Sequence, residues 1–267
     1  MLNERVYLSD DKSVYLESYA VVNPLDKPKD VILVIPGGGY HFVAKDREGE
    51  SIALAFAARG INAFVLVYSI GEDAVYPRQL LDAAAAMKYI KSNSEKYNIN
   101  PQRVFGIGFS AGGHLLGELT VHHGVAEKLM GLEKDALKLC GSVFSYPVIT
   151  AMASTHQGSF INLLKKPFDD LTDEEKEFHS IERHINSETP PAFIWHTSED
   201  TTVPIDGSLR LALAYVNANI PVELHLYPHG PHGLSLATEN TAVGRAEYVV
   251  PEAQDWIDKA VYWISKI

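Results

Sequence analysis

Residues 104–114 read VFGIGFSAGGH, and this stretch decides the fold. Val104 to Phe109 is a short, continuous apolar run, as expected of a strand covered on both faces. Gly108-Phe109-Ser110-Ala111-Gly112 then matches G-x-S-x-G, and Ala111 to His122 reads as a helix that begins immediately after the serine. The five-residue pattern alone turns up by chance in roughly one chain in ten of this length, so its context carries the reading. A strand that passes through a serine directly into a helix must turn sharply. Such a turn presents the hydroxyl at the sheet edge and crowds the backbone, so that only small residues fit beside it. Gly113 adds further room.

Outward from this turn the texture repeats. Apolar runs recur at Val31 to Ile35, Ile61 to Tyr68, Val143 to Tyr146, Phe193 to His196 and Val222 to Tyr227. Between them, Glu50 to Arg59 has helical spacing, and Tyr76 to Lys91 opens with Pro77 and repeats Leu80, Ala84, Met87 and Ile90. Asn100-Pro101 marks a stop before the next strand, and Ala253, Trp256, Ile257, Ala260, Val261 and Ile264 form the stripe of a last helix. This alternation predicts an α/β fold: a mostly parallel twisted sheet flanked by helices and joined by right-handed crossovers. Val6 to Leu8 and Ser13 to Val22 alternate like an antiparallel start, closed by the turn cluster at 23–28. The rhythm breaks from about 150 to 190. There Thr172 and Glu175 are spaced as a capping box in an acidic stretch that reads as a solvated helix face, and the whole segment reads as a small lid.

With 267 residues and 46% hydrophobic content, the chain can close one substantial core, so residues 1–267 are expected to form a single domain with that lid-like insertion. A formal charge of −11 argues against nucleic acid and anionic lipid as partners. The first residues are acidic where a signal peptide would be basic, and no run approaches about 18 apolar residues, so a soluble, non-exported protein is expected. Cys140 is the only cysteine; it cannot form an intramolecular disulfide, and its apolar flanks predict a buried packing thiol, in keeping with a reducing cytoplasm.

A serine hydroxyl is a poor nucleophile at neutral pH and needs a histidine to take its proton and a carboxylate to hold that histidine. Asp200 lies just past the run Phe193 to His196, and His232 lies past the last strand in Pro231-His232-Gly233. Glu199 competes with Asp200 but points elsewhere in an extended loop, and Asp206 reads as the start of the helix running to Val216. His229 competes with His232, which is preferred because a glycine follows it and lets the loop turn toward the sheet edge. The other histidines show no metal-ligand spacing such as H-E-x-x-H and default to structural roles, so no metal is expected. Pro36-Gly37-Gly38-Gly39-Tyr40 follows Val31 to Ile35, where backbone donors for an oxyanion belong; it lacks the Lys and Ser/Thr of a phosphate-binding loop.

Taken together, the glycine run, Arg47-Glu48-Gly49-Glu50, the Ser110 turn and the Asp200 and His232 loops resemble the bacterial α/β-hydrolase esterases of the BD-FAE, or acetyl xylan esterase-like, family. The resemblance implies small-ester substrates, often O-acetyl groups on sugars, and no cofactor. In relatives with a His-Gly-Gly-Gly motif the oxyanion donors are two glycine amides and the amide after the nucleophile; by position these become Gly38, Gly39 and Ala111, with Pro36 standing where those relatives have His. Tyr40, Tyr68, Tyr146 and Trp195 sit at strand ends or loops and are candidates for stacking on a sugar, with ordinary core packing as the competing role. Two rival readings are a serine peptidase-like hydrolase, which usually carries a large extra domain, and a non-catalytic hydrolase-like binding protein, which typically lacks one of the three reactive residues.

Overall fold

The computed structural model describes residues 1–22, 27–152 and 154–267, so most of the turn cluster expected at 23–28 lies outside the described residues. Its strands are β1 (Arg5–Tyr7), β2 (Tyr15–Tyr19), β3 (Lys29–Ile35), β4 (Asn62–Val67), β5 (Ile99–Phe109), β6 (Gly141–Ser145), β7 (Ala192–Thr197) and β8 (Val222–Tyr227). They form one sheet in the order β1-β2-β4-β3-β5-β6-β7-β8. The β1–β2 and β2–β4 pairs are antiparallel, the start expected from the alternating residues, and the remaining pairs are parallel.

The two faces of β3 show why its sequence is apolar throughout. Val31, Leu33 and Ile35 enter one buried cluster, while Ile32 and Val34 enter another, as the two-residue period of a strand requires. The first cluster is closed by helices Arg78–Ser92, Ala111–Met130 and Asp206–Asn217 through residues such as Leu80, Leu116 and Leu211. The second is closed by Glu50–Ala57 and Trp256–Ile264, with Phe56 edge-on to Trp256.

Several boundaries differ from the sequence reading. Asn100 and Pro101 lie inside β5 rather than before it; the β3–β5 register shifts between Lys29 and Val31, where proline can be accommodated. The helix after Ser110 runs on to Met130, with non-helical angles at His122. Cys140 is half-buried rather than enclosed, and burial still pushes its thiol pKa up.

The 150–190 segment contains the helix Asp173–Phe178 with the expected Thr172–Glu175 capping box. It also contains an unforeseen helix, Gln157–Leu164, which buries Phe160 with Val148, Ala151, Leu171 and Val203 in a third apolar cluster. Polar contacts tie the segment down: His114 donates from Nε2 to the His179 carbonyl, and His179 Nδ1 lies 2.6 Å from Glu118. No helix among the described residues is long and apolar enough to cross a membrane.

The order β4-β3-β5 carries a further consequence. The chain leaves β3 for β4 on one side, then returns across β3 to β5 on the other. The loops following β3 and β5 therefore diverge at the carboxyl ends of two paired strands, opening the crevice where ligands bind in such sheets.

Candidate active site

Ser110 occupies that crevice. Its φ of 52° and ψ of −121° lie outside the comfortable regions for an L-residue, and the surroundings hold it there. Its amide donates to the Ser145 carbonyl, and its own carbonyl accepts from Val148. The flanking glycines are required by contact: a Cβ on Gly108 would lie 2.3 Å from the Gly112 oxygen, and one on Gly112 would lie 2.2 Å from the Ile35 oxygen.

The three residues expected to act together are brought into one hydrogen-bonded chain. Ser110 Oγ donates to His232 Nε2 at 2.8 Å, and His232 Nδ1 donates to Asp200 Oδ2 at 2.6 Å. Asp200 is buried, and burial by itself would raise its pKa. Hydrogen bonds from His196 and His232 and from the Val203 amide outweigh that and hold it well below the usual carboxylate range. Among the described residues, the four groups hydrogen-bonded to the Asp200 carboxylate are all donors: His232 and His196 on Oδ2, and the Thr202 and Val203 amides, both at 2.9 Å, on Oδ1. His196 can donate to Asp200 because its Nδ1 accepts from Ser208 at 2.8 Å. Its role as a second donor on the acid went unnoticed in the sequence, although it stands four residues before Asp200 at the end of β7.

The rival acid and base form a separate surface pair. Glu199 accepts from His229 Nδ1 at 3.1 Å and from the Gly230 amide at 3.0 Å, and the His229 side chain is 66% exposed. Thr197 Oγ1 donates to the Gly230 carbonyl from the buried side, so both contacts anchor the loop that carries His232.

Gly37 to Gly39 run beside Ser110. The Gly37 amide donates to Glu48 at 2.8 Å, whereas no acceptor among the described residues takes the Gly38 or Gly39 amide. Ala111 is the first residue of its helix, so its N–H has no intrahelical acceptor. Gly38 and Gly39 have φ of 124° and 63°, and a Cβ on Gly38 would strike the Phe42 carbonyl at 2.1 Å, which explains why glycine is needed there.

The four aromatic residues that were candidates for stacking on a sugar are buried in the core instead. Tyr40, Tyr68, Tyr146 and Trp195 are each 2% exposed or less, so none offers a ring face to solvent. Their polar ends instead brace the site. Tyr40 donates to His114 Nδ1 on the helix after Ser110, and Tyr68 donates to the Pro36 carbonyl, both at 2.9 Å. Tyr146 packs edge-on to His232, donates to Glu48 at 2.8 Å and accepts from the Ser235 amide. Trp195 donates to Ser145 and stacks on Trp256. Each apolar body fills the core and each polar atom meets a buried partner, as a buried tyrosine or tryptophan requires.

Glu48 has no role in the sequence reading. It is 2% exposed and accepts from both Gly37 and Tyr146, and burial raises its pKa against those hydrogen bonds. It thereby joins the glycine loop to the ring that backs His232. Asn162 Nδ2 donates to the Gly39 carbonyl at 2.8 Å, fastening the same loop to the 150–190 segment.

Ser110, His232, Gly38 and Gly39 line a cavity of about 590 Å³, together with residues from loops to which no function had been assigned, including Phe42, His156, Arg245 and Tyr248. His114, Glu118 and His179 gather nearby within 4.8 Å of one another. Both ring nitrogens of His114 are already committed, to Tyr40 and the His179 carbonyl, and burial lowers its pKa to about 4; a cation there would have to displace those bonds.

An eight-stranded, mostly parallel sheet, a serine on a strand-to-helix turn, and Ser, Asp and His in that chain order are features of the α/β-hydrolase fold. Residues 19–215 match the BD-FAE family model. The chain belongs to the BD-FAE family. A relative named endo-1,4-beta-xylanase B from Butyrivibrio fibrisolvens is 38% identical over 225 residues, covering 83% of this chain and 35% of the relative. One named acetylxylan esterase from Xylanibacter ruminicola is 28% identical, covering 86% of this chain and 46% of the relative, so the chain spans less than half the length of either. A solved structure described as an acetyl ester-xyloside bifunctional hydrolase from Caldicellulosiruptor lactoaceticus superposes with a TM-score of 0.82 at 30% identity, covering 98% of this chain and 96% of that one. The family match ends before His232, and the hydrogen-bonded chain from Ser110 through His232 to Asp200 completes the site beyond it.

Proposed function

We propose that this protein is a serine carboxylesterase that removes short acyl groups, acetyl above all, from sugars such as xylo-oligosaccharides. The observation that carries this reading is the hydrogen-bonded chain Ser110–His232–Asp200 opening into a cavity beside two glycine amides that find no acceptor among the described residues. In this mechanism His232 takes the Ser110 proton as Oγ attacks the ester carbonyl, and Asp200 stabilises the imidazolium that results. The amides of Gly38, Gly39 and Ala111 receive the developing oxyanion. His232 then returns the proton to the departing alcohol, leaving an acyl-Ser110 that water cleaves by the same steps. The esterase names of the relatives support the substrate class.

The reading includes one domain over residues 1–267 with a lid-like insertion at about 150–190, supported by the continuous sheet and by the apolar cluster beneath the insertion. It also includes a soluble, cytoplasmic setting without nucleic-acid partners, supported by the net charge of −11 and the single cysteine. A short acyl preference fits the position of His156, whose ring reaches within 3.6 Å of where a Cβ on Gly39 would stand.

The test is acetate release from acetylated xylo-oligosaccharides beside p-nitrophenyl esters of increasing acyl length, with Ser110→Ala as control. The variant should lose a factor of about 10⁴ or more while staying folded. Each methylene buried in an open channel would add about 0.8 kcal/mol, whereas overpacking a closed pocket costs about 1–3 kcal/mol. kcat/KM should therefore peak at acetyl to butyryl and fall by octanoyl. Full activity in Ser110→Ala would overturn the mechanism, and activity that climbs through octanoyl would overturn the acyl preference.

A further inference from the structure

The cavity carries a local charge opposite to that of the molecule. The chain has 34 acidic residues against 23 basic ones, yet among the described residues the only carboxylate lining the Ser110 cavity is Glu48, which is buried and already bonded to Gly37 and Tyr146. The cavity is also lined by two arginines, Arg47 and Arg245, brought together from distant parts of the chain. Both lie against Tyr248: the guanidinium carbon of Arg245 is 3.9 Å from the ring centroid and that of Arg47 is 5.7 Å away. A cation near an aromatic ring is attracted to its face, which holds it while leaving its N–H donors available for an anion.

These arginines also differ from most others in the chain. Arg5, Arg59, Arg103, Arg183 and Arg210 each reach a carboxylate at 3.0 Å or less. Among the described residues, neither Arg47 nor Arg245 forms an ion pair within 4.0 Å; the one hydrogen bond seen from the Arg47 guanidinium is a long one, 3.4 Å, to the Gly233 carbonyl. Gly233 follows His232, whose Nε2 faces Ser110 Oγ, so Arg47 stands on the histidine side of the cavity. That is the side toward which the alcohol must leave, since His232 has to protonate its oxygen.

Resting on the esterase reading above, we propose that Arg47 and Arg245 recognise a carboxylate on the alcohol part of the ester, so that the enzyme favours acyl groups carried by an acidic sugar such as a uronic acid unit. A guanidinium presents a planar fork of donors suited to a carboxylate, and a pair of them offsets the repulsion that a molecule of charge −11 exerts on an anionic substrate. The chemistry is ordinary hydrolysis, in which ester and water give acetate and the acidic alcohol. The arginines take no proton and touch no reacting atom; they hold the leaving alcohol beside His232.

The test compares kcat/KM for two acetates whose leaving groups differ in charge but little in size, 4-acetoxybenzoate and 4-acetoxybenzamide. A second pair is an O-acetylated uronic-acid oligosaccharide and an O-acetylated xylo-oligosaccharide. The ratio of anionic to neutral substrate cancels any general effect of a substitution on the chemical step. Wild type should favour the anionic member by about threefold to tenfold at low salt, the range expected for two partly exposed ion pairs. The preference should shrink as sodium chloride is raised to about 0.5 M and the charges are screened. Arg245→Gln should lower the ratio, and Arg47→Gln with Arg245→Gln should bring it to one or below. A wild-type ratio of one, or a ratio that neither substitution moves, would overturn the proposal while leaving the esterase reading in place. Failure to cleave either acetate would remove both.

Discussion

Asp200→Asn is an almost isosteric change, and the hydrogen bonds around the carboxylate indicate what it would do. The Thr202 and Val203 amides both donate to Oδ1, so the asparagine oxygen would stay there and its NH₂ group would take the place of Oδ2. That position receives Nδ1–H from His232 at 2.6 Å and Nε2–H from His196 at 3.1 Å. An NH₂ donor facing His232 Nδ1 would stabilise the tautomer with the proton on Nε2, which cannot accept the Ser110 proton. His196 can still donate to the Val203 carbonyl at 3.1 Å, so the fold should tolerate the exchange better than the chemistry does. Asp200→Asn should therefore lose a factor of about 10⁴ in kcat, close to 5.5 kcal/mol of barrier, with a smaller change in KM. It should be no more active than Asp200→Ala, which leaves the imidazole free to adopt either tautomer. The assay is steady-state hydrolysis of p-nitrophenyl acetate by the two variants and wild type, with thermal melts to confirm folding. A folded Asp200→Asn enzyme within about tenfold of wild type would refute the tautomer reasoning.

Three further outcomes follow from the same contacts. His232→Ala should abolish turnover, whereas His229→Ala, which removes a surface contact to Glu199, should leave kcat/KM within about threefold of wild type; the reverse pattern would reassign the base. Glu48→Ala strands the Gly37 amide and the Tyr146 hydroxyl, each at about 1–3 kcal/mol, and loosens the loop carrying Gly38 and Gly39. We expect kcat to fall about 10²-fold with KM changed less, and unchanged kcat would show that Glu48 does not position that loop. Because the pKa of Asp200 is lowered on folding, the stability it contributes is fully present above its ordinary value of 3.8 and is lost as pH falls through the folded value. The difference in unfolding free energy between wild type and Asp200→Asn should accordingly shrink below pH 3.8, and a constant difference down to strong acid would contradict the lowered pKa.

Much of the site was legible in the chain because its signals are local. A strand-to-helix turn through Ser110 needs glycines at 108 and 112, and contacts of 2.3 and 2.2 Å to backbone oxygens show why no larger residue would fit. The loop positions of Asp200 and His232 followed from where β7 and β8 end, and the capping box at Thr172 needs only residues three apart. The aromatic residues were misread for the opposite reason. Whether Tyr40 or Tyr146 presents its ring to solvent or turns it inward depends on neighbours far along the chain, His114 in one case and Glu48, His232 and Ser235 in the other. Glu48, in the stretch Arg47-Glu48-Gly49-Glu50, carried no assigned role, and only the fold shows that Gly37 and Tyr146 enclose it.

The sequence by itself therefore determined the fold class and singled out the candidate nucleophile and the chain order of its partners, because periodicity, turn chemistry and capping act over a few residues. Tertiary structure alone decided the surroundings. The crossing of β3 between β4 and β5 opens the crevice, and buried hydrogen bonds between distant residues hold the glycine loop. The short turns and helices after Ser235 deliver Arg245 and Tyr248 to the cavity that Arg47 lines from the other end of the chain. Such groups meet only when the sheet is assembled, since neither their spacing nor their local composition records which face or loop will lie opposite.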